Sequence, residues 1–135
     1  MNNQQIFDHV KEFFLKQGKP SINIHAAGGG TCKYKTSDGL KCAVGCLIPD
    51  DKYTSSIEGY GVALILRDTI SPNSGEDKLI KTLKSSGISK RSFPLLEALQ
   101  DAHDSCAFKY SDNFINLFLE ALEKVAKDFR LKYAK

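Results

Sequence analysis

The sequence predicts a mainly α-helical fold, a single domain (residues 1–135) of about five to six helices with a small β-hairpin or extended flap near residues 21–37. Three observations carry this expectation. Apolar residues recur at three- and four-residue intervals over long stretches at both ends of the chain. Capping residues and glycines punctuate those stretches where helices should start and stop. The segment after Pro20 departs from the helical period and alternates over a few residues around three consecutive glycines, Gly28 to Gly30.

In chain order, Ile6, Val10, Phe13 and Phe14 form one apolar stripe of a first helix, capped by Asn2 or Asn3 and ended by Gly18 and Pro20. His9 lies off that stripe and is expected at the surface. Ser21 to Ile24 alternates as a short strand, and the glycines make a loop with His25 exposed beside it. Cys32, Tyr34 and Thr36 then alternate with Lys33 and Lys35 as far as the turn Ser37-Asp38-Gly39. Leu40 to Ile48 reads as a short buried helix halted by Pro49, with Cys42 and Cys46 one turn apart on one face. Tyr60 to Ile70 fits either period and is expected as helix. Ser74 with Asp77 makes a capping box for a helix that buries Leu79, Ile80 and Leu83 and stops at Gly87. A fourth helix starts near Ser92 to Pro94 and aligns Leu95, Leu96, Leu99, Ala102 and His103. The last, capped by Ser111, keeps helical spacing from Phe114 through Phe118, Leu122 and Val125 to Phe129.

Composition narrows the class. A chain of 135 residues with 41% hydrophobic residues, including eight Phe and five Tyr, can fill one core without cofactor help. No apolar run reaches the roughly 20 residues of a membrane span. Met1 to Gln5 lacks the basic-then-apolar order of a secretory signal, so a cytoplasmic protein is expected. In that reducing compartment the four cysteines read as free thiols or ligands rather than disulfides. A net charge of +3 does not by itself imply nucleic acid. Two basic excesses exist: Lys78, Lys81, Lys84, Lys90 and Arg91, and then Lys124, Lys127, Arg130, Lys132 and Lys135. Solvated helix faces are the ordinary account of both, and the first is where nucleic acid would bind if it binds at all.

Chemistry concentrates in Gly28 to Asp51, which holds the glycines, three cysteines and two adjacent acids. Gly29, Gly30, Cys32, Tyr34, Asp50 and Asp51 are its ligand-binding candidates. The glycines lack the Gly-Lys-Ser/Thr of a phosphate loop and read as a connector. For zinc, Cys42 with Cys46 and His103 with Cys106 make two helical pairs, but no CxxC pair exists and buried cysteines behave as small hydrophobes. No cofactor is therefore expected. A nucleophile reading places Cys42 near a helix N-terminus with His103 as base and Asp104 or Asp101 orienting it. The plainer account has His103 closing the inner face of its helix and bonding a backbone carbonyl.

The string Asp38 to Tyr53, DGLKCAVGCLIPDDKY, preceded by Gly30-Thr31-Cys32-Lys33-Tyr34, resembles a group of small uncharacterised proteins of bacteriophages and bacteria. Leu96 to Asp104, LEALQDAHD, and the closing helix are similar too. Ser71 to Arg91 falls outside the resemblance and reads as an insertion. The resemblance implies a phage or mobile-element context in a bacterial host cell and a protein that modulates host machinery. It implies no reaction. If the Cys42 segment and the Leu95 to His103 helix share a core, Cys32, Cys42 and His103 should cluster beneath the glycine loop.

Three functions fit these observations. A non-catalytic module that binds a protein or small ligand needs only the helical core and the irregular segment. A cysteine-dependent hydrolase or transferase needs Cys42 and His103 to meet. Nucleic-acid binding needs the Lys78 to Arg91 cations on one accessible face.

Overall fold

The computed structural model describes residues 1–24, 30–66, 70–109 and 113–134. Helix α1, Asn3–Gln17, starts from a reciprocal cap: Asn2 Oδ1 accepts from the Gln5 amide at 2.8 Å, and Gln5 Oε1 accepts from the Asn2 amide at 2.9 Å. It stops at Gly18, whose left-handed φ of 67° lets its amide reach the Phe14 carbonyl at 2.8 Å. Ile6, Val10 and Phe14 are buried as the stripe requires, joined by Phe7, while Phe13 is only half-buried.

Strands β1, Ile22–Ile24, and β2, Gly30–Cys32, pair antiparallel with Ile22 opposite Cys32. Beyond them a tight loop closes around Gly39 (φ 88°), bridged by Lys35 and Lys41.

From here the chain departs from expectation. Cys42 to Ile48 is wholly buried but is not an α-helix: it makes one turn, Cys46 N–H to Cys42 carbonyl at 2.9 Å, and then a 3-10 turn over Gly45–Leu47. Two causes are visible. Gln17 and Gln100 take the Lys41 and Val44 amides at 3.0 and 3.1 Å, pinning the segment from outside. Gly45 also lies so close to the Tyr34 carbonyl that a Cβ there would sit 1.9 Å from its oxygen. Burial requires apolar residues here, and the period of a longer helix does not follow from that.

Tyr60 to Ile70 likewise yields only one described helical turn, α2, Val62–Ile65, preceded by a 3-10 turn over Ser55–Ile57. Helix α3, Gly75–Ser85, is capped as expected by Ser74, whose Oγ accepts from the Asp77 amide at 3.1 Å. It ends with the Gly87 amide on the Lys84 carbonyl and the Ile88 amide on the Leu83 carbonyl, both at 3.1 Å, around Gly87 at φ 89°. Leu79, Ile80, Leu83 and Ile88 all enter the main apolar cluster, so the stretch outside the resemblance is part of the core rather than a surface appendage.

A 3-10 turn over Lys90–Ser92 leads into helix α4, Phe93–Lys109, and helix α5, Phe114–Asp128, packs along it. The expected cap Ser111 lies outside the described residues, and Asn113 holds the cap position. Phe114, Phe118, Leu122, Val125 and Ala126 of α5 are buried against α4 and α1. At the junction of these three helices Phe14 and Phe118 meet at 4.8 Å between ring centroids, and Phe114 and Phe118 at 5.2 Å. Among the described residues no helix is long and apolar enough to cross a membrane.

Candidate functional site: a recessed cleft beside His103

His103 sits at the edge of that aromatic cluster, 5.7 Å from the Phe14 ring and 5.6 Å from the Phe114 ring, with no solvent exposure. A buried imidazole must have both nitrogens satisfied. Its Nε2 accepts from the Ser21 backbone amide at 3.0 Å, a group that can only donate. The ring proton therefore sits on Nδ1, which donates to Asp104 Oδ1 at 2.9 Å. One turn earlier on α4, Gln100 Nε2 also donates to Asp104 Oδ1 at 2.7 Å, while Gln100 Oε1 holds the Val44 amide. The Cys32 thiol, brought up by β2, is a third donor to the Asp104 carboxylate. Burial pushes Asp104 up, but the hydrogen bond and electrostatic attraction of His103, with the hydrogen bonds from Cys32 and Gln100, outweigh it and hold the carboxyl below its ordinary range.

Asp104 opens onto a cleft of about 240 Å³ bordered by Cys32, Lys33, Tyr34, Cys42, Glu58, Tyr60 and Gln100. The far wall is built by Glu58. Its Oε1 accepts from the Tyr34 amide at 3.0 Å, and its Oε2 accepts from the Lys35 amide at 3.2 Å and the Tyr53 hydroxyl at 2.5 Å. The Tyr34 hydroxyl donates to the Tyr60 carbonyl, holding these two lining residues together. Burial, followed by the charge of nearby groups, pushes the Tyr34 phenol well above its ordinary value, so it stays a donor.

Of the ligand-binding residues expected from sequence, Cys32 and Tyr34 border this cleft. Gly30 lies in β2 opposite Ile24, and Gly29 falls outside the described residues. Asp50 and Asp51 do not border it. Both are exposed, and Asp50 is held between Lys41 at 2.8 Å and Lys35 at 3.3 Å. Glu58, Tyr60 and Gln100 went unrecognised in the sequence. Gln100 had a local signal, since it precedes Asp104 by one helical turn on the same face. Glu58 had none, because the backbone amides it holds, Tyr34 and Lys35, lie 24 and 23 residues earlier in the chain.

The nucleophile–base pair expected of Cys42 and His103 is not assembled. Both His103 nitrogens are engaged elsewhere, and Cys42 Sγ instead accepts from the Gly45 amide at 3.3 Å. Burial raises the Cys42 thiol to about 12 even though the Gly45 and Val44 amides pull the other way, so it is protonated at neutral pH. Asp101, the other expected orienting acid, is exposed. The zinc set Cys42, Cys46, His103 and Cys106 does not converge either. Cys46 is buried, donates to the Ala43 carbonyl at 3.1 Å and has its thiol pushed well up by burial. None of the four cysteines forms a disulfide.

Among the described residues the group of potential metal donors that does converge is Cys32, His103 and Asp104, within 4.8 Å of one another. A metal on His103 Nδ1 would force the ring proton onto Nε2, where it would face the Ser21 N–H, donor against donor. The hydrogen-bonded arrangement satisfies every atom and the metal-bound one does not. Of the expected nucleic-acid cations, Lys78, Lys84, Lys90 and Arg91 are exposed and form no ion pair among the described residues, and Lys81 is paired with Asp77 at 3.0 Å. Comparison of the chain with family models, with curated proteins and with solved structures finds no match.

Proposed function

We propose that the chain is a non-catalytic small-ligand-binding module whose cleft takes a small cationic group, an ammonium or guanidinium. The observation that carries this reading is Asp104. Its carboxylate side chain is 40% exposed toward the cleft, and its protein donors, Nδ1–H, an amide NH₂ and a thiol, are all neutral. Glu58 across the cleft is likewise held by two backbone amides and a phenol. Among the described residues neither carboxylate has a lysine or arginine within ion-pair distance, although Lys33 borders the same cleft. Two negative charges recessed between tyrosines favour a cation that brings its own charge and donors. The cysteine-dependent enzyme is the poorer reading, because Cys42 is a buried thiol and His103 has no nitrogen to accept a proton. The resemblance to small phage and bacterial proteins favours a bacterial cytoplasm as the setting and a host component as the source of the ligand.

Titration calorimetry with alkylammonium and guanidinium compounds, each beside its neutral isostere, tests this. Cations should bind and isosteres should not, and Asp104→Asn should weaken binding roughly tenfold or more, the worth of a charged hydrogen bond. Equal affinity for cation and isostere, or for wild type and Asp104→Asn, would rule the reading out.

A further inference from the structure

A second concave surface lies away from the acidic cleft and has the opposite character. It is about 670 Å³ and is bordered by Lys84, Gly87, Ile88, Ser89, Lys90 and Arg91. The turn that ends α3 builds it. The left-handed Gly87 turns the chain so that Lys84, on the last turn of α3, borders the same hollow as Lys90 and Arg91. Lys52, whose ammonium donates to the Ser85 carbonyl, brings a fourth positive charge to the same end of α3. Among the described residues no acid borders the hollow, and Lys84, Lys90 and Arg91 form no ion pair. Like charges this close repel one another, so a face that gathers them without acids is completed by an anion from outside.

We infer that this hollow binds the phosphate backbone of nucleic acid, without regard to base sequence. Three features select that partner among anions. The surface is broad and open and carries three cations, which suits a chain of phosphates better than one enclosed phosphate. Arg91 and two lysines supply the fork and point charges that phosphodiesters use, and no aromatic ring borders the hollow to stack a base. Ile88, the one large apolar residue there, is 1% exposed, so nothing is presented that would insert into a lipid surface. The inference rests on residues outside the cleft and stands or falls apart from the small-ligand reading.

The test uses the full chain with fluorescently labelled mixed-sequence oligonucleotides, single-stranded and duplex, titrated from low to physiological salt. Binding should be independent of sequence. Three cations at about −0.9 each predict a slope near −2.7 for duplex in log affinity against log salt. Lys84→Glu with Lys90→Glu should reduce affinity at least tenfold. Lys124→Glu with Lys127→Glu, the same charge change on exposed positions of α5, should leave it nearly intact. Unchanged thermal melting of both double variants shows that the fold is preserved. Equal losses from the two double variants would overturn the inference, as would absence of oligonucleotide binding at low salt. Saturable binding of inorganic phosphate or of anionic phospholipid vesicles without oligonucleotide binding would overturn it too.

Discussion

The helical frame of α1, α4 and α5 and the irregular stretch from Lys33 to Gly61 both send residues into one core, yet different forces hold them. In the frame, buried side chains are almost all apolar, and neighbouring helices meet through Phe14, Phe114, Phe118 and Leu122. In the irregular stretch the backbone cannot satisfy itself in long helices or sheets, so distant side chains do it: Gln17 for Lys41, Gln100 for Val44, Glu58 for Tyr34 and Lys35. The frame should therefore fail through cavities, and the stretch through lost fit and lost partners.

The comparison breaks most visibly at Phe118. Its truncation in Phe118→Ala should cost about 3–5 kcal/mol in chemical denaturation, because the ring is fully buried among three aromatic neighbours. Near-wild-type stability would mean that the aromatic junction does not hold the frame. Next is Gly45→Ala, which removes no contact and adds one methyl. That methyl meets the Tyr34 backbone carbonyl, which cannot rotate aside, so a loss of about 1–3 kcal/mol is expected from overpacking alone. A neutral or stabilising outcome would show that the irregular stretch yields easily, and the contrast with the frame would collapse.

The smallest effect concerns Asp104 and appears only in acid. Its folded carboxyl lies below the ordinary range, so its contribution to stability is complete above the unfolded value of about 3.9 and is lost as pH falls through the folded one. Asp104→Asn should flatten that acid limb of stability, measured by denaturation from pH 5 downward, and leave the slope near neutrality unchanged. An unaltered acid limb would place the titrating group elsewhere.

Much of the frame was legible because its rules are local. The Asn2 cap, the Ser74 cap (one half of the box expected there, since Asp77 accepts from the Asn73 amide instead), the glycine stop at Gly87 and the apolar spacing of α5 all act within one or two helical turns. The site was legible only in its residue types. Cys32 and Asp104 were recognisable as chemistry-bearing, and His103 as the residue on the inner face of its helix, but the backbone carbonyl expected as its partner is instead the Ser21 backbone amide, which donates to it. The acidic wall at Glu58 was not, and the acids at Asp50 and Asp51 drew attention to a surface ion pair instead. Cys42 to Ile48 shows the same limit from the other side. A run of apolar residues marks burial equally for a helix and for an irregular segment packed into the core.

What periodicity and capping decide, then, is which stretches are helical and which face of each turns inward, since those preferences operate between residues at most a few positions apart. The state of His103, the charge of Asp104 and the silence of Cys42 were decided by folding alone. The Ser21 amide that sets the imidazole tautomer is 82 residues away in the chain, and the burial that keeps Cys42 protonated comes from helices that close over it from both ends.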